Sequence, residues 1–120
     1  MIEELIARVF YARNVAHFEH WRSEGVGGYS RHMALGEFYD KVIDALDSLV
    51  EAYQGAFELV GTVPAPKTKA DDISLILVED AGWIEKNHDK ICKGNRAVAN
   101  LLDGVTGVYL TTTYKLRNLM

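Results

Sequence analysis

The chain has only two prolines, and they stand almost together in Gly61-Thr62-Val63-Pro64-Ala65-Pro66-Lys67-Thr68-Lys69. Proline lacks the amide donor of a helix and pushes the preceding residue toward extended backbone. This stretch is therefore the one clear linker. On each side lies sequence of helical periodicity, broken once by a short glycine-bearing turn: Gly25-Val26-Gly27-Gly28 before the linker and Lys93-Gly94 after it. Short turn, long linker, short turn predicts four helices arranged as two hairpins. A simple up-down bundle needs only a short second connection. From about Val60 to Ala70 an extended linker reaches about 35 Å, against about 37 Å for a 25-residue helix.

Two hairpins joined by a crossover of that length is the ferritin-like arrangement of an all-α four-helix bundle. The first helix is expected from about Ile2 to Glu24, with Ile2, Leu5, Ile6, Val9, Ala12 and Ala16 as its apolar stripe. The second is expected from Tyr29-Ser30, with Ser30 as N-cap, to about Leu59. Its stripe is Leu35, Phe38, Val42, Leu46, Leu49 and Tyr53, widened by Tyr39, Ile43 and Val50. So wide an arc suggests burial on two sides, against the core and against a second subunit. The third helix is expected to begin at Asp71-Asp72, with Leu77, Ala81, Ile84, His88 and Ile91 on one face. Lys93-Gly94 closes it, and Asn95 caps the fourth. Gly104 and Gly107 weaken that last helix by about 1 kcal/mol each relative to alanine, which suggests a close backbone approach there.

With 120 residues the chain is read as a single domain, 1–120. Thirteen basic against seventeen acidic side chains leave a net charge of −4. Neither nucleic acid nor an anionic membrane is an expected partner. The single cysteine, Cys92, cannot close an internal disulfide and fits a reducing compartment. The acidic opening Met1-Ile2-Glu3-Glu4 is unlike a signal peptide, so a cytoplasmic protein is expected.

The residues that carry chemistry are His20-Trp21, His32, Asp47 and Glu51. Imidazole nitrogen and carboxylate oxygen together suit iron and zinc. On a helical wheel His20 falls in the middle of the first apolar stripe, with His17 and Trp21 on its flank. Either a hydrogen bond in the core satisfies such a histidine or a metal does. Asp47 and Glu51, four residues apart, share a face. They either chelate a metal or belong to a solvated acidic stripe with Glu37, Asp40 and Asp44.

The offsets of this set resemble those of the Dps family of small ferritin-like proteins that oxidise and store iron. Members carry a His-Trp near the end of the first helix, a second histidine twelve residues on, and an aspartate and glutamate four apart further along the second helix. His17 and Tyr39 fit the same pattern, and the resemblance covers about residues 11–55. It implies iron(II) oxidation by peroxide or oxygen at an inter-subunit site, with zinc or another divalent metal as an alternative occupant. His20 and His32 would come from one subunit, Asp47 and Glu51 from its dimer mate. The family usually has an acid where this chain has Gly36; Glu37 beside it, and His17, are the weaker candidates for ligands. There is no room for the family's extra short helix, and no lysine-rich terminal tail. So trimmed a chain is similar to the small ferritin-like proteins encoded by bacteriophages. The expected assembly is a homodimer or a higher assembly of dimers.

Rival motifs are sparse. Glu85-Lys86-Asn87-His88 is a single Glu-x-x-His, where intra-subunit di-iron bundles use two. His88 is read instead as a satisfied core histidine. One cysteine excludes a Cys-rich zinc site, and no phosphate loop or dinucleotide fingerprint is present. Cys92 one turn from His88 lacks the further groups of a nucleophilic site. The alternative function is a non-enzymatic helical scaffold that binds a protein partner, as a phage structural or host-interaction protein would, with a vestigial metal site.

Overall fold

The computed structural model describes residues 1–120. It contains four α-helices and no strand: α1 Ile2–Trp21, α2 Gly28–Ala56, α3 Ile73–Cys92 and α4 Arg96–Asn118. No helix is long and apolar enough to cross a membrane. All four contribute to one core, in which Leu5, Val9, Phe38, Leu49, Leu77, Leu102 and Tyr109 are fully buried. α1 packs against α2 and α3, and α4 packs against α2 and α3.

Local sequence chemistry accounts for both ends of α3 and the starts of α2 and α4. Asp72 caps α3, its carboxylate accepting from the Ser74 amide at 2.8 Å. Asn95 caps α4 by accepting from the Val98 amide at 3.0 Å. Lys93 closes α3 in the left-handed region, at φ 50°. The first turn is where expectation and structure part. α1 stops at Trp21 rather than Glu24, and α2 starts at Gly28 with Gly27 rather than Ser30 as its cap. Gly27 is at φ 80°, a conformation that glycine alone adopts without cost. The serine hydroxyl used near this turn is that of Ser23, which donates back to the Glu19 carbonyl. α2 ends at Ala56, three residues before the expected Leu59.

Residues 57–72 run beside α1 without regular structure. The Gly61 amide donates to Glu3 at one end of α1. Tyr11 donates to the Ala70 carbonyl midway. The Ile73 amide, opening α3, donates to Glu19 near the other end. Glu19 also accepts from Arg31 of α2, at 2.6 Å. One carboxylate therefore joins α1, α2 and the positive end of the α3 dipole.

The core holds one carboxylate. Asp80, on the inner face of α3, is 0% exposed. It accepts from Arg8 of α1 at 3.1 Å and from the Tyr109 hydroxyl of α4 at 2.8 Å. The Arg8 guanidinium lies over the Trp83 ring, 4.8 Å from its centroid. Burial pushes the Asp80 carboxyl up from 3.8 to about 6, against the opposing pull of Tyr109 and Arg8. The same burial, with the neighbouring carboxylate, holds the Tyr109 phenol well above its ordinary value.

The native state thus keeps the Asp80 proton between pH 3.8 and about 6, where the unfolded chain has released it. Stability from this group is complete below that window and is lost as pH rises through it, by at most about 3 kcal/mol. Asp80→Asn keeps an acceptor for Tyr109 and removes the titration. The stability of the native chain relative to this variant should therefore fall as pH rises from 4 to 6; parallel melting profiles would refute the assignment. Arg8→Ala should destabilise by about 3 kcal/mol at pH 7.5 and by less in acid, where the orphaned carboxyl can protonate.

Candidate functional site

The end of the α1–α2 hairpin brings two histidines face to face. His20, one residue from the end of α1, and His32, in the second turn of α2, have ring centroids 3.6 Å apart and planes 17° from parallel. Each ring is tied to the other's backbone. His20 Nδ1 lies 2.6 Å from the His32 carbonyl oxygen, and His32 Nδ1 lies 2.9 Å from the His20 carbonyl oxygen. A carbonyl only accepts, so both Nδ1 atoms carry the proton and donate. Both Nε2 atoms are then left with a free lone pair. This is the tautomer that a backbone carbonyl commonly selects in metal-ligating histidines.

Gly36 is what allows the stack. A Cβ built there would come within 3.1 Å of His20 Cε1 and 3.2 Å of His20 Nδ1. Any side chain at position 36 would press on the His20 ring and require a shift of a few tenths of an ångström. Both histidines are only partly buried, so His20 sits at the rim of the helix pair rather than in the middle of the core as the wheel suggested. Tyr39 closes one side, its ring stacked on His17 at 4.1 Å and edge-on to His20 at 5.3 Å. Trp21 leans on His17 at 4.3 Å and is 64% exposed.

The carboxylates are elsewhere. Asp47 and Glu51 are exposed on α2 together with Asp40 and Asp44. Fifteen helical residues separate His32 from Asp47, about 22 Å of rise. No three His, Cys, Asp or Glu side chains of one chain are grouped to hold a metal ion. Glu37 faces α4, where it accepts from Lys115 and pairs with Lys41 at 3.5 Å. Lys115 holds its carboxyl below the usual range. The structure thus unites His17, His20, Trp21, His32 and Tyr39 in one patch and leaves Asp47, Glu51 and Glu37 outside it.

The second histidine cluster differs from its sequence reading. His88 is not a core residue: its side chain is 28% exposed, and Nε2 lies 2.9 Å from the Asp103 carboxylate of α4. Cys92 Sγ stands 4.0 Å from that same nitrogen. A carboxylate and a thiol share one ring nitrogen, and the acid nearest the other, the fully exposed Asp89, lies 3.6 Å from Nδ1, beyond a hydrogen bond, so the orienting contact of a relay is not made. Burial, with Asp103 and Asp89 nearby, also pushes the Cys92 thiol up, away from a reactive thiolate. The residue that sequence reasoning missed is Asp80. Its signal was present: Ile73, Ile76, Leu77, Asp80, Ile84 and Ile91 fall on one helical face.

Gly36→Ala should displace the His20 ring by a few tenths of an ångström. The crowding costs about 1 kcal/mol and the helix gains about 1 kcal/mol from alanine, so stability should change by less than about 1 kcal/mol. Chemical denaturation gives the net change. The imidazole proton shifts, set by the stacked partner ring, report the displacement. Unchanged shifts in the variant would mean that the ring is not held against Gly36.

Residues 20–116 match the profile of a protein family described as "Family of unknown function (DUF5856)", and the chain belongs to that family. No curated protein and no solved structure matches the chain.

Proposed function

We propose that this chain is a ferritin-like protein that binds iron(II) at an inter-subunit site and passes its electron to peroxide or oxygen. The observation that carries the reading is the reciprocal bonding of the stacked His20 and His32 rings, which uses both Nδ1 atoms and leaves each Nε2 without a hydrogen-bond partner in the chain. Two neutral imidazoles bind a divalent metal weakly without oxygen donors, and iron favours a mixed nitrogen and oxygen set. Asp47 and Glu51 of one chain are too far from the histidines, but both are exposed and free to meet a second copy. Packed antiparallel about Asp40, two α2 helices set residue 32 of one against residues near 48 of the other. That pairing also opposes acidic faces, Asp40 and Asp44 among them, so a cation between the subunits would relieve the repulsion. Trp21, exposed beside the imidazoles, is placed to intercept an oxidising equivalent.

The ferritin-like topology belongs to the same proposal. Its support is the path of residues 57–72, whose bonds to Glu3, Tyr11 and Glu19 follow α1 from one end to the other. A connection of that course makes α2 and α3 run parallel, as a crossover requires.

Anaerobic iron(II) titration followed by peroxide tests the function. The native chain should bind iron saturably and oxidise it. His20→Ala/His32→Ala should lose both by at least about tenfold, and Asp47→Asn/Glu51→Gln should do the same with the fold unchanged. If the native chain binds no iron as a folded oligomer, the stacked pair is only a clamp closing the hairpin, and the protein is a helical scaffold.

A further inference from the structure

The outward face of α4 is built differently from every other exposed helix face of the chain. From Gly104 to Tyr114 there are eleven consecutive residues without a charge. At 100° per residue, Asp103, Gly107, Leu110, Thr111, Tyr114, Arg117 and Asn118 form one row on this helix. Leu110 is 56% exposed and Tyr114 is 54% exposed. Around the glycines there is space rather than a packed neighbour: a Cβ on Gly104 or Gly107 would meet nothing within 4 Å. The close backbone approach expected at these glycines is therefore not made within the chain. Instead they line a hollow of about 260 Å³ between α4 and α2, with Val108 and Thr111 in its wall and Glu37 and Lys41 at its edge.

We infer that this face docks on a second copy of itself, α4 against α4 in antiparallel orientation about a two-fold axis beside Leu110. The charges decide the occupant and its direction. The row on this face carries Asp103 near one end, still 64% exposed beside His88, and Arg117 near the other. An antiparallel copy brings each Asp103 to the Arg117 of its partner, whereas a parallel copy would oppose like charges. The same register places Tyr114 of each chain over Gly107 of the other, where the missing side chains leave the hollow open. The ridge Leu110–Tyr114–Asn118 then packs into the groove left by Gly104, Gly107 and Thr111, which is ordinary ridge-into-groove helix packing. A single helix pair about four turns long falls short of the roughly 1,200 Å² at which stable interfaces begin. The dimer is therefore a weak one, forming above about 1 μM. It uses α4 and does not rest on the iron reading, whose contact is made by α2.

Sedimentation equilibrium tests it without added metal. The native chain should dimerise, and Tyr114→Ala should weaken the dimer at least about tenfold. Gly107→Trp, whose Cβ meets nothing within 4 Å and whose ring would fill the hollow, should abolish it. Arg117→Asp opposes two carboxylates at both ends of the contact and should weaken it about tenfold. Asp103→Arg/Arg117→Asp, with the charges exchanged, should restore it, an outcome no folding defect can produce. Helicity and melting temperature of the variants confirm that the chain is folded. A native chain that stays monomeric up to about 1 mM overturns the inference. So does a dimer that survives both Gly107→Trp and Arg117→Asp, because the contact then lies elsewhere.

Discussion

The position of three helices is fixed at one buried carboxylate. Asp80 reaches Arg8 of α1 and Tyr109 of α4 from the middle of α3. An ionised group taken out of water costs more than apolar packing around it returns, unless each of its lone pairs finds a donor. That requirement is geometric. Arg8 and Tyr109 must stand on facing helices at one level, so any sliding of α1 or α4 against α3 breaks a bond in a site where water cannot replace it. Apolar contacts alone tolerate slippage by a helical turn; this triad does not.

Glu19 supplies a second such constraint where the hairpin turns. Its two oxygens are divided between Arg31 and the first amide of α3, so the start of α3 is tied to the closed end of the α1–α2 hairpin. The stacked histidines lie on the same end, next to Glu19 in sequence and one helix face away. The imidazole patch therefore stands beside an anchored end of α1, and its rings are oriented by backbone carbonyls, which have little freedom to move. On the iron reading proposed above, nitrogens held that way would form half of a site, and its oxygen donors would come from another molecule, because the acids of α2 lie several turns away along the helix.

The two remaining long faces differ in chemistry. α2 presents carboxylates outward and α4 presents glycine, threonine, leucine and tyrosine. A solvated helix needs no such uncharged run, and helix propensity argues against glycine at Gly104 and Gly107, neither of which is buried. The two contacts proposed above, one on α2 and one on α4, would each use one of these faces.

Much of this was legible in the residues themselves. The two prolines, the two glycine turns and the stripes of Leu, Ile and Val determined four helices, their order and the long connection, because period and turn chemistry are local properties. Asp72 and Asn95 announced their caps for the same reason. The single-chain sequence also displayed the histidines and acids as candidates, since ligand chemistry is a property of side-chain type. Only the tertiary structure decided which of these meet. It put His20 against His32 across a hairpin, with Gly36 leaving room for the His20 ring, and left Asp47 and Glu51 in solvent. It moved His88 from core to surface and placed Asp80 at the centre. Burial and proximity depend on how helices cross, and a periodic pattern specifies the face a residue occupies but not what stands opposite it.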